Sequence, residues 1–104
     1  MTFTPAIFRV DLNGNPFALL PADPADHRDH CTCYRHTGGR TAADYGFAMA
    51  QSHPATPAEA GELTVTLEAV GYTVRPVYRA SRKMHEARRK ELKRMDERAK
   101  EKRT

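Results

Sequence analysis

The chain has 104 residues, with 17 Lys or Arg against 13 Asp or Glu, a net charge of +4 and two cysteines. That length suits one domain with a single modest core. No stretch approaches the roughly twenty apolar residues of a membrane span, and the N-terminus lacks a basic segment followed by an apolar run, so a soluble, cytoplasmic protein without a membrane partner is expected.

The charge is unevenly placed. Residues 81–104 hold eleven Lys or Arg against five Asp or Glu, a charge of +6, whereas residues 1–80 hold six against eight, a charge of −2. Basicity belongs to the tail, and any argument about a polyanionic partner rests there.

Residues 6–20 read as a β-hairpin, Ile7 to Leu12 and Asn15 to Leu20 flanking Asn13-Gly14, because a two-residue type I′ turn needs positive φ at both central positions. Residues 21–41 read as a surface loop opened by Pro21-Ala22-Asp23-Pro24, with Cys31 to Tyr34 as a short strand within it. Between Thr41 and Gln51 the alternation of Tyr45, Phe47 and Met49 favours a strand, while Thr41 followed by Asp44 suits a helix start.

The next element is clearer. Thr56-Pro57-Ala58-Glu59 combines an N-cap threonine, proline at the first helical position and glutamate at the third, so a helix over residues 57–70 is predicted. Ala60, Leu63, Leu67 and Val70 form its apolar stripe, and Gly71 stops it. Residues 72–79 alternate as a strand, with Pro76 favouring an edge because it cannot donate to a ladder. Ser81 then caps a helix free of glycine and proline to the chain end.

On that helix Met84, Ala87, Leu92, Met95 and Ala99 make a thin apolar seam, interrupted by Arg88 and Glu91. Solvation by i, i+4 pairs such as Glu86 with Lys90 can sustain such a helix unaided. Its cations also suit a partner: Arg82, Lys83, Arg88, Arg89, Lys90, Lys93, Arg94 and Arg98 are the candidate contacts, with Tyr34, Tyr45 and Tyr78 as aromatic contacts. Five interspersed acids and the lack of any aromatic after Ser81 weigh against simple coating of nucleic acid.

Three of five histidines and both cysteines fall between His27 and His36. Cys31 and Cys33 lie too close to close a useful disulfide loop and read as free thiols or ligands. Zinc takes four nitrogen or sulfur donors, and His30, Cys31, Cys33 and His36 supply that set, with His27 an alternative to His30, although paired cysteines in structural sites are usually two to four residues apart. Catalysis finds less support. Cys33 with His36 lacks an oxyanion-hole motif, Asp26 and Asp29 carry no mark of an acid–base pair, and neither a P-loop nor a dinucleotide glycine pattern occurs.

The run Cys31 to His36, the glycine turn, Pro54 to Glu59, Leu63, Gly71-Tyr72 and Met84 resemble small uncharacterised proteins encoded by phages and mobile elements of high-GC bacteria. The resemblance implies no catalytic residues. It implies a role where such an element meets its host, binding and blocking a larger machine as anti-CRISPR proteins do.

These readings converge on a small α+β domain: an α+β body over residues 1–80, with the hairpin and the strand at 72–79 in one antiparallel sheet under one helix, and a separable, long charged C-terminal helix over 81–104. The expected function is non-enzymatic binding to a host protein or nucleoprotein complex, without a cofactor. The alternatives are a nucleic-acid-binding module using the basic helix and a small zinc-stabilised module.

Overall fold

The computed structural model describes residues 3–26, 28–35 and 39–102, with side chains to Lys100. Six strands and three helices alternate as an α+β fold. β1 (Thr4–Asp11), β2 (Pro16–Pro24), β3 (Cys31–Arg35) and β4 (Gly39–Ala43) precede α1 (Tyr45–Ala50), β5 (Ser52–Pro54), α2 (Pro57–Ala69), β6 (Val74–Pro76) and α3 (Arg82–Lys102). The strand order β4-β3-β2-β1-β5 is antiparallel throughout, and β6 joins the free part of β1.

The first hairpin forms where predicted, with Ile7 opposite Leu19 and Val10 opposite Pro16. Its turn differs from the two-residue type I′ expected. Asp11 N–H donates to the Asn15 carbonyl and Gly14 N–H to that of Asp11, while Gly14 alone has positive φ, at 83°. This is the three-residue loop with a left-handed glycine. The Asp11 carboxylate selects it by accepting from Asn13 N–H at 2.9 Å and Asn15 N–H at 3.0 Å.

Among its described residues, the loop predicted over 21–41 is mostly strand. β2 runs on through Pro24, with a register shift between Leu20 and Pro24 where the prolines have no N–H to pair. Cys31 to Tyr34 forms the expected strand, and β4 pairs with it in turn. The strand favoured for Thr41–Gln51 gives way at Asp44, whose carboxylate accepts Phe47 N–H at 2.9 Å and so starts a helix. Tyr45, Ala48 and Met49 turn inward at helical spacing while Phe47 stays exposed, so the alternation of aromatics was misleading.

Helix α2 begins at the predicted capping box, with Thr56 N–H donating to Glu59 Oε1 at 2.9 Å and Glu59 N–H to Thr56 Oγ1 at 3.3 Å. Leu63 and Leu67 are wholly buried, but Val70 is the C-cap and stays exposed. Gly71 follows at φ 108°, as the helix stop requires. The strand predicted over 72–79 shrinks to three residues and runs parallel to β1, not antiparallel, with Pro76 on the outside as expected.

Two cores result, one on each face of the sheet. Ala6, Ala18, Leu20 and Tyr34 meet Leu63 and Leu67 of α2. Ile7, Phe17, Leu19, Cys31 and Cys33 meet Tyr45, Ala48 and Met49 of α1, together with Val77 and Ala80. α3 leaves on the side of α1, since His85 packs edge-on against Tyr45 with centroids 4.7 Å apart. Among the described residues no helix is long and apolar enough to cross a membrane.

Candidate docking surface

The first half of α3 is fastened to the sheet by its least expected residue. Arg88, the cation that interrupts the apolar seam, is 3% exposed. Its Nη1 donates to the Pro21 carbonyl at 2.8 Å and to His85 Nδ1 at 2.8 Å, and its Nε donates to Asp29 Oδ1 at 3.2 Å. Arg89 Nε reaches the other oxygen of Asp29 at 3.2 Å. Asp29 thus receives two arginines from consecutive helical positions, and it does so from a left-handed backbone, φ 63°, which aspartate tolerates better than most residues.

The ionisation of these groups follows from the geometry. Burial opposes the charge of Asp29, but the hydrogen bonds from Arg88 and Arg89 outweigh it and hold the carboxyl below its ordinary value. Burial, then the charges of Arg88 and Arg89, push His85 below its usual range. Arginine is always the donor, so the nitrogen of His85 that meets Arg88 is the acceptor of a neutral ring.

Anchoring at Arg88 sets which side of α3 faces outward. At about 100° per residue, Met84, His85, Arg88, Leu92 and Met95 share the inner half, and Arg82, Lys83, Arg89, Lys90, Lys93, Arg94, Arg98 and Lys100 the outer half. All eight of these cations are exposed. Among the described side chains only Glu86 and Glu97 accompany them there, since Glu91 and Asp96 sit toward the inner side and are half-buried. Arg82 pairs with Glu86 at 3.1 Å and Arg94 with Glu91 at 3.2 Å, leaving the face strongly positive. Beyond Leu92 the helix is exposed at every described residue except Asp96, and the molecule extends 48 Å along its long axis against 29 and 25 Å across.

Of the residues expected to contact a partner, Arg88 is spent inside the molecule, and so is Tyr34, which is 7% exposed and packs edge-on against Tyr72 at 5.7 Å. Tyr45 is half-buried, its hydroxyl accepting Ala80 N–H at 2.9 Å. Tyr78 is 88% exposed but lies off α3, on the segment after β6. Of the candidate contacts, the cations on the outer half of α3 and Tyr78 are exposed, whereas Arg88, Tyr34 and Tyr45 are engaged inside the molecule. The expectation of a separable helix fails for its first half, since Arg88 and His85 are built into the body. Asp29 and His85 went unnoticed in the sequence as anchors; a lone arginine inside an apolar seam was their one signal.

Among the described residues no group of three or more His, Cys, Asp or Glu is placed to hold a metal ion. Cys31 and Cys33 share one face of β3 inside the second core, where burial pushes the Cys31 thiol up to about 11 and raises Cys33 as well. His30 Nδ1 lies 2.7 Å from Asp26 Oδ2. His27 and His36, the other candidate ligands, lie outside the described residues. A cleft of about 400 Å³ opens on the same face of the sheet, with Phe17, Cys33 and Arg35 at its floor and Leu12 and Phe47 at its rim. Arg35 there is paired to Asp11 at 3.0 Å and stacked over Phe17.

No protein-family model, no curated protein and no solved structure matches this chain.

Proposed function

We propose that this chain is a non-enzymatic docking protein that sets the outer half of α3 against an acidic surface of a larger host protein or nucleoprotein complex and modulates it. The observation that carries the reading is the burial of Arg88. A helix fixed at that point presents Arg82, Arg89, Lys90, Lys93 and Arg94 in one orientation. Little ordering entropy is then lost on association, and complementary charge speeds encounter. The resemblance to phage and mobile-element proteins supports a host machine as the target.

The nucleic-acid reading gains one specific support, because two of the acids that weighed against it, Glu91 and Asp96, lie toward the body and not on the outer face. Capture from host lysate by the tagged full chain, with and without nuclease, separates the two. Capture that survives nuclease and is lost in Lys90→Glu/Arg94→Glu supports a protein surface. Capture abolished by nuclease supports nucleic acid, and capture indifferent to the charge reversal defeats both.

A further inference from the structure

The outer edge of β1 is shared by two short strands. β6 pairs with Thr4 to Ala6, and β5 with Arg9 to Asp11. The strands part at Ile7 and Phe8, and there a notch of about 240 Å³ opens, walled by Phe8, Pro54, Pro57 and Pro76, with Tyr78 among its lining residues. Tyr78 is the most exposed of the large apolar side chains, at 88%. A single exposed aromatic is ordinary. Its surroundings are less so.

No acidic residue occurs between Glu68 and Glu86, whereas Arg75, Arg79, Arg82 and Lys83 all do and all are exposed. Arg9, Arg35 and Arg88 each have carboxylate, hydroxyl or carbonyl partners within the molecule. Arg75 and Arg79, on either side of Tyr78 in the chain, have none among the described residues. An apolar notch with an uncovered ring in its lining is thus bracketed in the chain by two exposed cations, Arg75 and Arg79, that no carboxylate of the described residues neutralises.

We propose that the notch and Tyr78 form a binding site for single-stranded nucleic acid, with one base stacked on Tyr78 at the notch and neighbouring phosphates held by Arg75 and Arg79. An apolar-walled recess with an aromatic ring in its lining suits the face of a base, and every base has such a face. A base inside a duplex is already stacked and unavailable to the ring. Arg75, Tyr78 and Arg79 lie off α3, so the site stands or falls independently of the docking reading.

The test is fluorescence anisotropy of the full chain with a labelled oligothymidylate of about twelve nucleotides, enough to span a site of the usual size. Affinity should fall as salt is added. Tyr78→Ala should weaken binding about tenfold and Tyr78→Phe should preserve it, since stacking needs only the ring. Arg75→Ala/Arg79→Ala should weaken binding and flatten the salt dependence. All three side chains are exposed, so these variants keep the fold. The Tyr78→Ala ratio should persist in a Lys90→Glu/Arg94→Glu background, which keeps this result apart from any failure of α3 to dock. Absence of binding at low salt, a Tyr78→Ala affinity within about twofold of the parent, or equal Tyr78 dependence with a duplex overturns the proposal. Tyr78-dependent capture of polyglutamate in place of the oligonucleotide overturns it too and assigns the notch to an acidic protein.

Discussion

Arg88 and Asp29, 59 residues apart in the chain, form the ion pair that joins α3 to the sheet, with Arg88 Nη2 3.1 Å from Asp29 Oδ1. The arginine is 3% exposed and the aspartate 41%. One charge of the basic tail is therefore structural. It closes the register shift of β2 by satisfying the Pro21 carbonyl, and it orients the remaining cations outward.

Removing one partner of such a pair strands the other. Arg88→Met keeps much of the side-chain volume but leaves the Pro21 carbonyl and Asp29 without their donor, and should cost about 3 kcal/mol, the low end for a buried pair because Asp29 is partly hydrated. Arg89→Met, on the exposed side of the same carboxylate, should cost well under 1 kcal/mol, roughly what surface pairs contribute. Urea unfolding of both variants checks the contrast; equal midpoints would mean that Arg88 is not an anchor.

Acid should loosen the same junction. His85 is held below its ordinary value of 6.5, so the unfolded chain takes up that proton first, and stability is lost progressively as pH falls from about 6.5 through the folded value. Asp29, held below 3.8, adds a second loss that begins near that value and continues as pH falls through its folded one. Protonated His85 would also face Arg88 across 2.8 Å as a second cation. His85→Asn, which retains an acceptor but does not titrate, should flatten the stability profile as pH falls below about 6.5, measured as urea midpoint at each pH. An unchanged slope there would locate the titrating group elsewhere.

What could be read from the sequence divides along local and non-local chemistry. The α2 capping box and the first hairpin depend on residues close in the chain, and both were legible, although the type of the hairpin turn was not, since the Asp11 carboxylate selects it. The loop over 21–41 was misread beyond its one predicted strand because its prolines are accommodated by a bulge, and because β4 is a strand only by virtue of pairing with β3, which in turn pairs with β2. Burial of the sheet on both faces also erased the alternation that normally marks strands, as in Phe17-Ala18-Leu19-Leu20, where every residue is buried. At the candidate site the outer cations of α3 were legible as charge. The interior place of Arg88 was not, since it depends on a carbonyl and a carboxylate more than fifty residues away.

The apolar stripe of α2 offers a direct comparison. Leu67 is wholly buried between α2 and the sheet, so Leu67→Ala should cost about 2–5 kcal/mol. Val70, in the same predicted stripe, is 56% exposed at the C-cap, so Val70→Ala should change stability by no more than about 0.5 kcal/mol. Chemical denaturation of the pair tests whether the stripe ends at Leu67.

Both thiols should behave as core residues. Cys31 is wholly buried and its pKa stands at about 11, so little thiolate exists at neutral pH, and Cys33 is shifted the same way. Ellman's reagent should label neither in the native protein within minutes and both on unfolding, and a chelator should leave the melting temperature unchanged. About one zinc per chain in protein purified without added metal, with a loss of stability on chelation, would instead support the zinc-stabilised alternative.

Truncation distinguishes the two halves of α3. A chain ending at Leu92 retains Arg88, its contacts to Pro21, Asp29 and His85, and the half-buried Met84 and Leu92, so it should unfold at nearly the parent urea concentration. A chain ending at Ala87 loses the anchor and leaves Asp29 and the Pro21 carbonyl unpaired, and its midpoint should drop at least as far as that of Arg88→Met. Only the longer truncation product is therefore a fair test of docking, because it removes Lys93, Arg94, Arg98 and Lys100 without disturbing the body. If that chain is folded and still captures the partner as well as the parent does, contact is confined to the first turns around Arg82, Lys83, Arg89 and Lys90. Reduced capture with unchanged stability places the contact along the projecting half.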